Sequence, residues 1–105
     1  MIVRFHADAR DELREARNWY LERSPLTAMA FAQNIDNAVL AITRAPSAYR
    51  LAEHGTRKLV LQRFPFNIFY RESEEEIVII AVSHQKRRPD IGHVGLPYLS
   101  RSFLI

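Results

Sequence analysis

The chain has 105 residues, no cysteine and a formal net charge of +3, which fits one globular domain and excludes disulfides and thiolate metal sites. Its hydrophobic fraction of 48% excludes a disordered chain, and no apolar run approaches the roughly 18–20 residues of a membrane-spanning helix. The N-terminus lacks the layout of a secretion signal. We therefore expect a cytoplasmic protein without membrane contact.

Positive charge is concentrated in the second half of the chain. Residues 1–56 carry seven Lys/Arg and seven Asp/Glu, whereas residues 57–105 carry eight and five. The excess after residue 56 indicates an anionic partner, either nucleic acid or an acidic protein surface, with ordinary solubilising charge as the alternative.

The first half of the chain predicts a short strand and one helix. Ile2–Phe5 is short and apolar, as in a strand at a sheet edge. Asp8 is a plausible N-cap, and Ser24-Pro25 ends the helix that follows. One face of that helix is marked by apolar residues at i, i+4, i+7 and i+11, namely Ala9, Leu13, Ala16 and Tyr20.

A second helix follows after a very short gap. Thr27 can cap it, and the segment from Ala28 to about Ala45 contains neither Gly nor Pro before Pro46 stops it. Its apolar face has the same spacing and consists of Phe31, Ile35, Ala38 and Ile42. The short gap predicts that the two helices form an antiparallel hairpin.

Three strands and a basic loop are predicted next, at Arg57–Arg63, Phe66–Glu72, Glu76–Val82 and Ser83–Pro89. Consecutive strands joined by tight turns pair antiparallel. The order β-α-α-β-β-β predicts an α+β fold in which the helical hairpin packs on a small antiparallel sheet. We assign residues 1–95 to this single domain and residues 96–105 to an apolar C-terminal tail.

The last predicted strand is apolar on both faces. With strict alternation, Val78, Ile80 and Val82 point to one face, and Ile77, Ile79 and Ala81 to the other. The helical hairpin can cover only one face. The other must be covered by the tail Leu96–Ile105, by a second copy or by another protein.

An ordered set of short segments resembles the RelE/ParE superfamily of bacterial toxins. The segments are ADARDEL, NWYLERSP, AFAQNIDNAVLAI, APSAYR, GTRKLVLQRFPFNIFYR and EEIVIIAVSHQKRRP, which together span about Ile2 to Pro89. FPFNIFYR followed by VIIAVSHQKRRP is the most specific part. The resemblance implies a helical hairpin on a small antiparallel sheet and a cognate antitoxin that wraps the toxin.

The superfamily has two main branches, and the resemblance leaves both open. RelE-like members are metal-independent ribonucleases that cut mRNA on the ribosome, whereas ParE-like members inhibit DNA gyrase without cleavage chemistry. Asn67 stands where nuclease members usually carry an Arg, so the segment resembles the ParE side. If the chain is a nuclease, we expect His84 as the base, with Tyr70 supplying a hydroxyl and positive charge from Arg57, Arg63 and Arg87.

Our interpretation is a ParE-like toxin, not an enzyme, that binds DNA gyrase and is neutralised by a cognate antitoxin. The alternatives are a RelE-like ribosome-dependent mRNA endoribonuclease and a decayed toxin that retains only antitoxin binding. We expect no metal and no cofactor. The predicted target- or antitoxin-binding residues are Arg57, Lys58, Arg63, Arg71, Lys86, Arg87 and Arg88.

Overall fold

The computed structural model describes residues 1–86, and the predicted tail and the cations Arg87 and Arg88 lie outside this range. No helix in the described range is long and apolar enough to cross a membrane. The elements in chain order are β1 (Ile2–Phe5), α1 (Ala7–Arg23), α2 (Pro25–Arg44), β2 (Arg50–Leu51), a short 3-10 turn (Glu53–Gly55), β3 (Arg57–Val60), β4 (Phe66–Glu72) and β5 (Glu76–His84).

Ser24 joins the two helices by itself. Its backbone N–H donates to the carbonyl of Tyr20 (2.8 Å), which closes α1. Its side-chain oxygen accepts the N–H of Thr27 (3.2 Å), which begins α2. Pro25 occupies the first turn of α2, where a missing N–H costs nothing. The prediction that Thr27 caps this helix is therefore wrong, because Ser24 does so three residues earlier.

Helix α1 also begins earlier than predicted. The Nδ1 atom of His6 accepts the backbone N–H of Asp8 (3.2 Å), so His6 takes the N-cap position expected for Asp8. Asp8 instead lies in the first turn, where its negative charge interacts favourably with the helix dipole.

The sheet is mixed, with strand order β1-β5-β4-β3-β2. Strands β2 to β5 pair antiparallel, as predicted. Strand β1 lies at an edge, as expected, but it runs parallel to β5. The two helices of the intervening hairpin carry the chain back across the sheet, which makes this pairing possible. The α+β class is confirmed. The prediction of a wholly antiparallel sheet is wrong, because β1 pairs parallel with β5.

Two strand boundaries differ from the prediction. Strand β3 ends at Val60 because the chain then turns tightly, with the N–H of Leu61 donating to Phe66 (3.0 Å) and the N–H of Phe66 to Phe64 (2.8 Å). Strand β5 continues to His84, which pairs with Phe66. The predicted loop therefore does not begin at Ser83.

The main core lies between the helical hairpin and one face of the sheet. The predicted faces of both helices contribute to it. An aromatic cluster fills its centre, with ring centroids between 5.2 and 6.5 Å apart, and it comprises Tyr20, Phe31, Phe64 and Phe66.

A β-bulge changes which residues of β5 face the helices. Phe69 pairs with Ala81 and Tyr70 pairs with Ile79, so Ile80 is an extra residue. Val82 therefore joins the helix-facing core. Ile80 and Ala81 both pack with Phe69 in a second cluster. Strict alternation along β5 was the wrong prediction, because a bulge resets the period.

The face opposite the helices is apolar at its centre. Phe69, Ile80 and Ala81 are buried there, with Ala52 and Val78 packed against them. The C-terminal tail, one of the three candidate covers for this face, lies outside the described range.

Candidate functional site

A groove of about 280 Å³ lies between the two helices. Its walls combine apolar side chains from both helices with charged side chains at the rim. The lining residues are Arg10, Leu13, Arg14 and Arg17 from α1 and Phe31, Ala32, Ile35 and Asp36 from α2.

The rim of this helical groove is positively charged. Arg10, Arg14 and Arg17 occur at i, i+4 and i+7, so they lie on one face of α1. Arg14 donates to Asp11 (3.1 Å), whereas within residues 1–86 the side chains of Arg10 and Arg17 form no ion pair. Asp36 is the one acidic lining residue. The groove thus suits an amphipathic helix with an apolar stripe flanked by carboxylates.

Sequence reasoning missed this groove. The net positive charge of the chain lies after residue 56, whereas residues 1–56 are neutral as a sum and so give no sign of a cationic surface. The signal was nevertheless present, because the three arginines already had helical spacing beside the apolar face of α1.

Arg57, the first of the predicted binding residues, is used within the protein. Its Nε–H donates to Glu72 on β4 (2.9 Å), and a terminal N–H donates to the carbonyl of Tyr49 (2.7 Å). The side chain of Ser47 also donates to Glu72 (3.1 Å). Arg57 therefore connects the segment after α2 to the sheet, and Glu72 neutralises its charge.

The other predicted cations in the described range make separate contacts. Arg71 donates to the carbonyl of His54 (3.0 Å), which has a left-handed backbone (φ 58°) in the turn before β3. The ammonium of Lys58 lies 5.8 Å from the ring centroid of Phe69. Arg63 and Lys86 are exposed at turns. A common site for these residues stays a prediction.

The residues expected for a nuclease lie in different places in the described range. The turn that carries Arg63 lies beside the end of β5, where the N–H of Gln85 donates to the carbonyl of Pro65 (2.8 Å), whereas Arg57 is far from His84. His84 pairs with Phe66 and Arg57 pairs with Tyr70, so they lie at opposite ends of the Phe66–Tyr70 segment, roughly 13 Å apart along the strand. The Nδ1 atom of His84 accepts the N–H of Lys86 (3.1 Å). Its ring packs on Phe66 at 5.4 Å.

Tyr70 cannot offer its hydroxyl to a substrate. The side chain is fully buried, and its O–H donates to the carbonyl of Pro46. Burial raises the pKa of Tyr70 to about 12, so the hydroxyl stays protonated at neutral pH.

Asn67 lies on the face opposite the helices, paired across the strands with Ser83. Asn67 Oδ1 and Ser83 Oγ are buried, and neither has a hydrogen-bond partner in the described part of the chain. Buried polar groups of this kind usually have a partner. The side chain at this position is a neutral amide, whereas a nuclease of the superfamily would carry a guanidinium here.

A helical hairpin packed on a small sheet, with a basic groove between the helices, agrees with the fold that the resemblance to the RelE/ParE toxins implies. The family model described as "ParE toxin of type II toxin-antitoxin system, parDE" matches residues 3–89. The chain therefore belongs to the ParE toxin family of type II toxin–antitoxin systems, and this membership implies an antitoxin partner.

Individual relatives agree with this assignment. "Toxin ParE2" of two Mycobacterium tuberculosis strains is 28% identical over 89 residues, which are 84% of this chain and 85% of the relative. A solved structure, "Chromosomal ParDE TA system from P. aeruginosa", superposes with a TM-score of 0.71 and 26% identity. That match covers 80% of this chain and 95% of the Pseudomonas chain.

Proposed function

We propose that this ParE-type toxin inhibits DNA gyrase by binding it and that a cognate antitoxin neutralises it. The observation that carries the choice of gyrase over mRNA is the separation of His84 from Arg57 at opposite ends of the Phe66–Tyr70 segment of β4. General base catalysis needs the base and the groups that stabilise the phosphate around one scissile bond. Gyrase is a cytoplasmic target, so we assign the toxin to the cytoplasm.

The helical groove is the surface that we assign to the antitoxin. Its floor is apolar, with Leu13, Phe31 and Ile35, and can bury an amphipathic helix of the partner. The cations of Arg10 and Arg17 attract carboxylates on the flanks of that helix and speed its encounter with the toxin.

The target is tested with purified toxin that is free of antitoxin. Added to gyrase, ATP and relaxed plasmid, it should suppress supercoiling and leave cleaved DNA. The protein encoded beside the toxin gene should restore supercoiling when it is added in equal amount, because it sequesters the toxin. The measurement is the distribution of plasmid topoisomers on a gel.

Cleavage of mRNA without an effect on gyrase would contradict the proposal. If the toxin leaves gyrase unaffected but cuts mRNA in a translation extract, and the substitution His84→Ala abolishes that cut, the proposal of a gyrase inhibitor is wrong. A folded chain that binds antitoxin but affects neither gyrase nor mRNA indicates a decayed toxin.

The helical groove is tested by reversing charge at its rim. The double substitution Arg10→Glu/Arg17→Glu should weaken antitoxin binding by about tenfold to a hundredfold at low salt, because two attractions become repulsions. The loss should shrink as salt rises, since exposed charges are screened. Titration calorimetry at two ionic strengths measures both effects.

The matched control keeps the positions and the charge. Arg10→Lys/Arg17→Lys should bind the antitoxin within a few-fold of the native toxin. Equal affinity of the reversed and native proteins would place the antitoxin elsewhere on the toxin.

A further inference from the structure

Three cations meet on the sheet face opposite the helices. Lys58 pairs with Arg50 on β2 and with Phe69 on β4, and residues directly opposite each other project from the same face of a sheet. Phe69 belongs to the cluster on the face opposite the helices. Arg71 follows Phe69 by two residues on β4, so it projects from that face as well. We call Arg50, Lys58 and Arg71 the cationic patch.

The charges of the cationic patch are closely spaced. Directly opposite positions place the Cβ atoms of Arg50 and Lys58 roughly 4.5–5.5 Å apart, and the diagonal position places Arg71 roughly 7–8 Å from Lys58. Like charges directly opposite each other destabilise a sheet. Strand β2 has only two residues, so the repulsion falls on one of its two pairs. An anion bound between Arg50 and Lys58 would replace this repulsion by two attractions.

No carboxylate neutralises the cationic patch within residues 1–86, where the ion pairs involve other residues. Arg71 donates to the carbonyl of His54 (3.0 Å), which is a neutral acceptor. The ammonium of Lys58 lies 5.8 Å from the ring centroid of Phe69, and Arg50 is exposed. The three charges are therefore available to an anion from outside the protein.

The chemistry of the cationic patch differs from that of the helical groove. The helical groove combines its cations with an apolar floor, and buried apolar anchors are what a protein interface usually has. In the cationic patch the aromatic ring beside the charges, Phe69, is only 3% exposed. Arginine and lysine side chains donate hydrogen bonds and accept none, whereas a polypeptide backbone presents donors and acceptors in equal number. A surface of donors alone fits the phosphate oxygens of a nucleic acid.

We propose that the cationic patch binds the phosphate backbone of duplex DNA, independently of base sequence. One phosphate lies between Arg50 and Lys58 and accepts hydrogen bonds from both, and Arg71 contacts a neighbouring phosphate. Duplex DNA is the nucleic acid that gyrase holds, so this choice rests on the proposed function. Contact with the DNA as well as with gyrase makes the toxin bind the gyrase–DNA complex more tightly than gyrase alone.

The test removes two charges from the cationic patch and measures binding to a fluorescein-labelled DNA duplex without gyrase or antitoxin. Arg50→Gln/Lys58→Gln should lower the affinity by about tenfold at low salt, because phosphate contacts are lost. The slope of log affinity against log salt concentration should become shallower by about two, which a merely structural change would not cause. Fluorescence anisotropy at several salt concentrations gives both quantities.

The matched control removes the same amount of charge from another surface. Arg10→Gln/Arg17→Gln has the same net charge but keeps the cationic patch, so it should bind the duplex within a few-fold of the native toxin. The exchange Arg50→Lys/Lys58→Arg keeps both charges and should also retain binding. An equal loss in all three variants would show that the DNA responds to net charge or to misfolding, and the proposal would be wrong.

Nuclear magnetic resonance of the native toxin provides a readout that needs no variant. On addition of the duplex, the largest shifts of backbone amide signals should occur in β2 and β3, around Arg50 and Lys58. Largest shifts on the helices instead would overturn the proposal. This measurement decides the question even if Arg50→Gln/Lys58→Gln fails to fold.

Other anionic polymers separate the possible sources of the ligand. Single-stranded RNA and polyglutamate of similar charge should bind the native toxin more weakly than the duplex does. Tighter binding of either one would assign the cationic patch to RNA or to an acidic protein, and no binding of the duplex at low salt would equally overturn the proposal. Failure of the toxin to inhibit gyrase contradicts the proposed function, whereas the binding assay contains no gyrase and decides this inference separately.

Discussion

Tyr70 shows how burial sets the chemistry of a single side chain. Its hydroxyl donates to the carbonyl of Pro46, and burial, as the main cause, raises its pKa to about 12. An unfolded tyrosine ionises near pH 10. The stability that this shift contributes is therefore complete below about pH 10 and is lost as the pH rises through about 12.

We expect Tyr70→Phe to remove this pH dependence. Alkaline titration, followed by the ultraviolet absorbance of tyrosinate, should show a tyrosine that ionises late in the native protein and is missing in the variant. At neutral pH the variant should be about 1–2 kcal/mol less stable, because Pro46 loses its donor. If the native and variant titrations differ by a component near pH 10, Tyr70 is accessible and the assignment of its role is wrong.

The roles of individual arginines could not be predicted from counting charges. Arg57 belongs to the basic segment, yet its guanidinium is neutralised by Glu72, a partner fifteen residues later on another strand. Arg17 belongs to a segment of zero net charge and has no ion-pair partner in the described range. Whether a cation is free depends on contacts between distant residues, which local sequence does not specify.

At the scale of elements, α1 supports β5 where β1 ends. The last pair between these strands joins Phe5 to Ile79, and beyond it the N–H of Val82 has no strand neighbour on that side. Glu12 takes this N–H at 2.9 Å from a position that is only 2% exposed. A carboxylate on a helix thus replaces a missing strand just after the bulge.

Glu12→Ala should destabilise the protein by about 2–3 kcal/mol, because it leaves a buried N–H of the strand without an acceptor. Glu12→Gln keeps a carbonyl oxygen at the same position and should lose less than half as much. Urea unfolding of the two variants and the native protein measures the difference. Equal losses would show that the charge of Glu12, and not its hydrogen bond to Val82, is what matters.

Elements with a strong period were predictable, and those set by tertiary context were not. The apolar faces of α1 and α2 lie in the core as their spacing indicated. The two-residue strand β2 has no pattern of its own, because it exists only by pairing with β3. The bulge at Ile80 was hidden for a related reason, since an unbroken apolar run gives no sign of where its period shifts.

At the scale of the whole molecule, the order of elements and the resemblance together predicted the fold and the family. The helical groove was not predictable in the same way. It forms where α1 and α2 pack against each other, with Arg10 from α1 and Asp36 from α2 in its lining. A groove is a property of packing, and sequence patterns describe single elements.

The parallel pairing of β1 with β5 has a consequence for synthesis of the toxin. Arg4 and Glu76 meet at 3.1 Å across this pair although 72 residues separate them in the chain. Strand β1 must therefore stay unpaired during synthesis until β5 has left the ribosome, and contacts between residues so distant in the chain form slowly. We expect a nascent chain to lack the β1–β5 pair, and with it a complete sheet, until β5 has been synthesised.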